Sequence, residues 1–373
     1  MQIKKILIHY IQITGVFQLK TCFTRKFFSF SLLLVLILGS LTVSGCSKKA
    51  AKEVSIAVFV PGVIAGSPTY EMLAEGSVEA VEEYNKRTNQ NVKIDVIEAG
   101  TNQAEWSSKL TALTASNKYS LIVSSNSSLP ALIEPLTEQF PEQKYLVLDA
   151  YLENNRNVAT VNYNQREQGY LTGYAAGLAT TADKSVFPYA NAAKKIALVA
   201  AQEYPVMNEI ILPAFEEGAK AADSGVSVEF RIVGNWYDAS KSADIARSLY
   251  EEGVDVILPI SGGANQGVIS AAQSLNFYVT WFDNNGYDKA PGLVISSMAL
   301  EQKKLAKEMV SAYLDNKLDF GKAKTVGIKD GYITFVKDDP VYRQNIPETF
   351  VEQLSAVEAD IKAGKLKLPA TNK

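Results

Sequence analysis

Short, mostly apolar runs alternate along this chain with longer segments in which apolar residues recur every three or four positions. The first pattern is typical of buried β-strands and the second of amphipathic helices. The strand-like runs span residues 55–60, 91–99, 120–125, 144–150, 158–164, 195–201, 226–234, 254–260 and 277–283. The helix-like segments span residues 68–87, 105–115, 129–140, 167–181, 205–222, 240–253, 264–275 and 300–316.

Regular alternation of strands and helices predicts an α/β fold in which parallel sheets are covered by helices. The pattern runs through two series, which predicts two similar doubly wound lobes. No Pro- or Ser-rich linker separates the series, and this suits lobes joined by several chain crossings. In such sheets ligands bind beyond the carboxyl ends of the strands, so the residues that follow each strand are the candidates for a binding site.

The N-terminal segment follows neither pattern. Residues 1–45 hold five basic residues and no acidic residue, and the stretch 27–43 is largely apolar and carries no charge. A basic flank, an apolar core and small residues together predict a secretory signal over 1–45. A membrane-spanning anchor is the alternative, although the apolar stretch is at the short limit for a span.

The residues that end this segment read Val43-Ser44-Gly45-Cys46, which resembles a bacterial lipobox. In that motif the cysteine receives a thioether-linked diacylglycerol and becomes the first residue of the mature protein. Lipid chains hold a protein at a membrane surface without a span. We therefore expect lipidation at Cys46, a polar tether over 46–53, and a location on the extracytoplasmic face of the cell membrane.

Composition narrows the chemistry that the chain can perform. Of its 373 residues, 47% are hydrophobic and 21% are charged, as in an ordinary globular protein. Cleavage before Cys46 would remove the single histidine, His9, together with Cys22. The remaining side chains exclude an internal disulfide, thiolate or histidine catalysis, and Cys/His zinc sites. We predict no catalytic residue, no metal and no cofactor. An enzyme that uses carboxylates alone, such as a nucleoside hydrolase, is the alternative.

The charge balance excludes a further class of partner. The chain has a net charge of −3, and cleavage before Cys46 would remove five positive charges and make the net charge more negative. Because nucleic-acid binding depends on a surplus of lysine and arginine, we expect no nucleic-acid partner.

Polar, aromatic and glycine residues follow several of the predicted strands. The candidate ligand-binding residues are Tyr70, Asn126, Asn235, Trp236, Gly262, Gly263, Asp283 and Asn285. Asp149 directly follows another of the strands. Trp281 lies inside its strand and is interpreted as a core residue.

Each candidate has a structural and a functional interpretation. Tyr70 and Trp236 can pack on a lobe surface or stack on a flat ring of a ligand. Asp283 can cap a turn or accept two hydrogen bonds from a ribose-like diol. Gly262 and Gly263 can form a tight turn or offer free backbone N–H groups to a ligand. The glycine cluster lacks both the P-loop ending and the GxGxxG spacing, which argues against a nucleoside triphosphate.

Several segments of this chain resemble one known family over residues 55 to 335. They are EQKYLVLDA (142–150), EQGYLTGYAAGLAT (167–180), FEEGAKAA (215–222), VGNWYDASKSADIARSLYEEGVDVI (233–257), SGGANQGV (261–268) and FDNN (282–285). The chain thereby resembles the basic membrane lipoprotein family of ABC-importer substrate-binding proteins. That resemblance implies the periplasmic-binding-protein type I fold, in which a hinge cleft separates two doubly wound parallel-sheet lobes. It also implies lobe 1 over 54–162 plus 293–320, lobe 2 over 163–292 plus 321–345, and a C-terminal helix or tail over 346–373.

The resemblance also assigns roles to residues. Family members that bind purine nucleosides stack the base between aromatic side chains and hold the ribose with an aspartate. The aromatic falls on Trp236 and the aspartate on Asp283, while a second acid of the family motif is replaced by Asn285. The glycine pair of the family falls on Gly262 and Gly263.

Two positions depart from the family pattern. The first loop usually carries Asn-Asp followed by Phe, whereas this chain reads GSPTY at 66–70, and a family lysine falls on Leu300. A less polar loop with Tyr70 facing Trp236 suits a larger flat ring. The loop GSPTYEML is similar to that of a riboflavin-uptake lipoprotein related to this family.

These observations predict a lipid-anchored substrate-binding protein that delivers riboflavin or a purine nucleoside to an ABC permease. The alternative is a ligand-sensing receptor lipoprotein of the same fold without a transport role.

Overall fold

The computed structural model describes residues 54–370. The predicted signal segment and the whole tether, Cys46 included, therefore lie outside the described residues. The described residues belong to one compact unit. Within the described range, no helix combines the length and the apolar character that crossing a membrane requires.

The first sheet of the described chain is entirely parallel, with strand order β2-β1-β3-β4-β5-β11. Its strands are β1 (Ser55–Val60), β2 (Lys93–Glu98), β3 (Leu121–Ser125), β4 (Lys144–Leu148), β5 (Val158–Tyr163) and β11 (Ala323–Val326). The helices that connect its first four strands are α1 (Pro68–Thr88), α2 (Trp106–Ala115) and α3 (Leu129–Gln139).

The second sheet repeats this arrangement in the order β7-β6-β8-β9-β10-β12. Its strands are β6 (Lys195–Ala200), β7 (Ser227–Ile232), β8 (Val254–Ile260), β9 (Tyr278–Asp283), β10 (Val294–Leu300) and β12 (Ile333–Phe335). Only β12 is antiparallel to its neighbour among the described strands. The remaining helices are α4 (Gln165–Thr180), α5 (Leu212–Ala222), α6 (Ala239–Glu251), α7 (Asn265–Leu275), α8 (Gln302–Leu314), α9 (Pro340–Asn345) and α10 (Glu348–Lys362).

The apolar pattern of each strand matches its place in its sheet. Strand β8 is apolar except for Asp255 and is buried along its whole length, because helices cover both faces of the sheet. Strand β2 alternates between apolar and charged residues and is exposed at every second or third position, since it lies at the sheet edge. The predicted α/β class with two doubly wound lobes is confirmed.

The structure corrects the predicted lobe boundaries at two strands. Strand β10 was placed in lobe 1 (293–320) but pairs with β9 in the second sheet. Strand β11 was placed in lobe 2 (321–345) but pairs with β5 in the first sheet. The chain thus crosses between the lobes after β5, after β10 and again after β11. The partner of β11 lies far away in the sequence, whereas β9 is the strand that directly precedes β10.

In the pairs α4–α5 and α1–α8, the two helices approach so closely that only glycine fits between them. A Cβ on Gly173 of α4 would lie 2.0 Å from the carbonyl oxygen of Phe215 in α5. A Cβ on Gly76 of α1 would lie 2.2 Å from the carbonyl oxygen of Lys303 in α8. Helix α4 follows the crossing after β5, and α8 follows the crossing after β10. These contacts therefore hold each of the two helices against a helix of the lobe that it enters.

The helix predicted over 205–222 begins with an irregular turn. Residues Met207–Ile211 form a π-helical turn in which the N–H of Leu212 donates to the carbonyl oxygen of Met207. Pro213 lacks an N–H for the usual bond four residues back, and a widened turn accommodates it. Regular helix resumes as α5.

Candidate functional site

The carboxyl ends of the two sheets face each other, and each presents an aspartate. Asp149 directly follows β4, and Asp283 ends β9. Because β4 and β9 occupy the same place in their sheets, the two aspartates are counterparts. Both have left-handed backbone, with φ of 51° for Asp149 and 71° for Asp283. This conformation is rare for residues other than glycine, asparagine and aspartate, and it turns the chain sharply at each strand end.

The two carboxyl groups share one electrostatic environment. Burial and the charge of Asp283 raise the pKa of Asp149 to about 8. Burial raises the pKa of Asp283 to about 6, and a hydrogen bond from Gln168 Nε2 at 3.3 Å opposes that rise. Among the described residues, no lysine or arginine compensates either group. The site therefore favours hydroxyl donors or positive charge and disfavours anions.

Aromatic side chains surround these aspartates. Trp236 follows β7 and is half-buried. Its ring centroid lies 6.3 Å from that of Tyr204, with the two planes tilted by 41°. Burial raises the pKa of Tyr204, and the charges of Asp149 and Asp283 add to the effect. Tyr204 thus lies within electrostatic range of both carboxyl groups.

The glycine turn supports Trp236. A Cβ on Gly262 would lie 3.3 Å from Trp236 Cε3, and one on Gly263 would lie 3.5 Å from the Trp236 carbonyl oxygen. The N–H of Ala264 donates to that oxygen at 3.1 Å. Close packing beneath the tryptophan and a φ of 59° therefore account for Gly262, whereas a Cβ on Gly263 would make only ordinary contacts. A direct bond from their backbone to a ligand stays a prediction.

Lobe 1 contributes Tyr70 and Asn126. The Tyr70 hydroxyl donates to the carbonyl oxygen of Pro61 at 3.2 Å, and Asn126 Nδ2 donates to the same hydroxyl at 3.4 Å. Burial raises the pKa of Tyr70, and Asp149 and Tyr237 contribute electrostatically. The structure therefore brings these two predicted residues to the same edge as Asp149.

The two predicted asparagines of lobe 2 are used locally. Asn235 Oδ1 accepts hydrogen bonds from the N–H groups of Tyr237 (2.9 Å) and Asp238 (2.8 Å), which shapes the turn that presents Trp236. The exposed Asn285 donates to Asp339 Oδ2 at 2.8 Å and accepts from the N–H of Tyr287 at 3.1 Å. A direct contact of either side chain with a ligand stays a prediction.

Sequence reasoning missed two aromatic residues of this cleft. Tyr204 lies in the loop after β6, and the corresponding segment after β1 leads to Tyr70 in the first turn of α1. Tyr237 directly follows Trp236 and contacts the first lobe. A systematic comparison of the two strand series would have pointed to Tyr204, whereas nothing in the local sequence distinguishes Tyr237. Trp281, interpreted as core, is 4% exposed.

The described residues hold no group of three or more His, Cys, Asp and Glu side chains arranged to bind a metal ion. The cleft is thus lined by aromatic rings, two aspartates and amide groups. Such a lining can stack on a planar ring and accept hydrogen bonds from hydroxyl groups.

Comparison with known proteins gives consistent results. The family model of the Bmp, PnrA-like ABC transporter substrate-binding proteins matches residues 53–367. An ABC transporter nucleoside-binding protein of Lactococcus lactis is 24% identical over 273 residues, which are 68% of this chain and 72% of that protein. Basic membrane protein A1 of Borrelia garinii is 24% identical over 315 residues, 82% of this chain and 88% of that protein.

Solved structures show the same fold. A solute-binding protein of an ABC transporter system from Aeropyrum pernix superposes with a TM-score of 0.71 at 19% identity, covering 86% of this chain and 94% of that one. The two lobes thus have the periplasmic-binding-protein type I fold. The family match confirms the resemblance drawn from the sequence. This chain therefore belongs to the Bmp family of PnrA-like ABC transporter substrate-binding proteins.

Proposed function

We propose that this protein binds a metabolite with a flat ring and a polyol, either riboflavin or a purine nucleoside, between its two lobes and delivers it to an ABC permease. One observation carries the proposal. Aromatic rings and two uncompensated aspartates meet where the strand ends of the two lobes face each other.

The aromatic groups account for the ring of the ligand. Trp236 and Tyr204 come from lobe 2 and Tyr70 from lobe 1. Stacking of a planar ring on such side chains contributes about 1–3 kcal/mol per contact, as for nucleobases. A ring held between lobes touches both of them, so it favours their approach.

The aspartates account for the hydroxyl groups. An ionised carboxylate accepts two hydrogen bonds and binds a diol more strongly than a neutral acceptor does. At neutral pH Asp283 is largely ionised, since its pKa is raised only to about 6. Asp149 retains a proton more readily, so the pair offers both an acceptor and a donor to a ribose or ribityl chain.

Ligand binding then shifts the lobes toward a closed arrangement. A ligand changes such an equilibrium only through contacts that differ between the open and closed states. Contacts from Asp149 and Tyr70 on one side and Asp283 and Trp236 on the other provide that difference. Hinge closure around the ligand would create the surface that the permease recognises.

Different observations favour each of the two ligands. The name of the Lactococcus lactis relative favours a nucleoside. The loop with Tyr70 favours riboflavin, as does Leu300, which is buried in β10 where the family carries a lysine. A wider flat ring fits a site with aromatic side chains and no lysine at these positions.

Identification of the co-purified ligand tests the proposal. The described residues belong to one compact unit, so residues 53–373 can be produced without the N-terminal segment. We expect the purified protein to release riboflavin or a purine nucleoside on denaturation, identified by absorption spectrum and mass. A yellow protein indicates riboflavin, and a colourless one that releases a nucleoside indicates the other ligand. Failure of the emptied protein to bind either compound in calorimetry would contradict the proposal.

We also propose the lipid anchor at Cys46. In the full chain, Cys46→Ser is expected to abolish incorporation of a labelled fatty acid and to move the protein out of the membrane fraction. Cys22→Ser is the matched control, because this cysteine lies within the predicted signal and should change neither result. A Cys46→Ser protein that stays in the membrane fraction after alkaline washing would instead favour a spanning anchor.

A further inference from the structure

A tyrosine of lobe 2 contacts lobe 1 directly at the edge of the cleft. A Cβ on Gly62, in the loop after β1, would lie 3.3 Å from the hydroxyl oxygen of Tyr237 and 3.1 Å from Tyr70 Cε2. Gly62 belongs to lobe 1, whereas Tyr237 lies between β7 and α6 of lobe 2. We call the meeting of Tyr237 with Gly62 and Tyr70 the mouth contact.

Both sides of the mouth contact are held firmly. The N–H of Gly62 donates to the carbonyl oxygen of Val60 and its own carbonyl accepts from Gly100, each at 2.8 Å. The N–H of Tyr237 donates to Asn235 Oδ1 at 2.9 Å. The Tyr237 ring also packs near the glycine turn, since a Cβ on Gly263 would lie 3.7 Å from its Cδ1.

The position of Tyr237 differs from that of Trp236. Tyr237 is 39% exposed, so one part of its side chain faces solvent while its hydroxyl reaches the other lobe. Trp236 and Tyr204 lie on the side of the two aspartates. Tyr237 therefore stands between the aromatic interior of the cleft and the solvent.

We propose that Tyr237 is a gate residue, which closes the mouth of the ligand site by contact with Gly62 and Tyr70 and thereby slows release of the ligand. The inference rests on the proposed function for the presence of a ligand. The reason is physical: a contact between lobes exists only when they are close, so it stabilises the closed state and not the open one. It acts on ligand release rather than on encounter.

The first test uses ligand release. Stopped-flow fluorescence with riboflavin and with adenosine measures the association and dissociation rates of Tyr237→Ala. We expect dissociation to be about 10-fold faster and association to change less than about two-fold, since open molecules admit the ligand equally well. An unchanged dissociation rate would overturn the proposal.

The glycine side of the contact provides a matched pair of variants. Gly62→Ala adds a methyl group that meets Tyr237 and Tyr70, whereas Gly66→Ala adds one in open space in the same loop. Both glycines have positive φ, 153° and 76°, so Gly66→Ala controls for backbone strain. We expect faster release only for Gly62→Ala, with less than additive effects when it is combined with Tyr237→Ala. Full additivity would contradict a direct contact.

The second test needs no ligand. Residues 53–373 contain no cysteine, so cysteines can be placed at the exposed Ser127 of lobe 1 and Ser240 of lobe 2. The rate of cross-linking by a bismaleimide then reports how often the lobes approach. We expect Tyr237→Ala to lower this rate about three-fold, and an equal rate would overturn the gate. If neither compound binds the parent protein, the proposed function fails. The cross-linking rates still test whether Tyr237 is a gate residue.

Discussion

Replacement of Trp236 by alanine is expected to weaken ligand binding by about 10- to 100-fold, because stacking on one aromatic ring contributes about 1–3 kcal/mol. The side chain is half-buried and packs on Gly262 and Tyr204. We therefore expect only a modest loss in the free energy of unfolding. Isothermal titration calorimetry with the co-purified ligand and urea denaturation measure the two quantities separately.

Tyr189→Ala is the control for this prediction. Tyr189 is 42% exposed and packs against Tyr278 at 5.4 Å, at the amino end of β9 and away from the aspartates. Removal of this aromatic side chain should leave the dissociation constant unchanged. An unaltered dissociation constant for Trp236→Ala would remove the tryptophan from the site. A large loss of stability would show that its role is structural.

A phosphate ester of the ligand, FMN or AMP, is expected to bind at least about 100-fold more weakly than the parent compound, riboflavin or adenosine. Among the described residues no basic side chain compensates Asp149 or Asp283. One negative charge about 8 Å from a carboxylate costs about 2 kcal/mol at an effective dielectric constant of 20. A nearly divalent phosphate beside the ionised Asp283 therefore exceeds that cost.

The ratio of the two dissociation constants measures this discrimination. Asp283→Asn should lower the ratio by about 10-fold even if it weakens both compounds, since it removes charge and keeps the shape of the side chain. Glu138→Gln makes the same change of charge at an exposed position of α3 and should leave the ratio as it is. Equal binding of the ester and the parent compound would show that the phosphate lies outside the field of these aspartates.

Periodicity in the sequence was sufficient for much of the fold. The buried run of β8 and the alternating pattern of β2 each report how many faces of a strand are covered, and burial is a local property of a segment. The position of a residue after a strand was also readable from the sequence. It singled out Tyr70, Trp236 and Asp283, and it drew attention to Asp149.

The tertiary structure decided which strands exchange between the lobes and which side chains converge. The pairing of β11 with β5 depends on contacts between segments distant in the chain, which no local pattern encodes. Asn285 is of a residue type that can contact a ligand, yet its side chain donates a hydrogen bond to Asp339. Tyr237 is adjacent to Trp236 in sequence but reaches Gly62 in the other lobe. The sequence by itself therefore determined the class of fold and the strand ends that carry the site. Only the packing of one lobe against the other determined the partners of each side chain there, because those partners come from parts of the chain that meet only after folding.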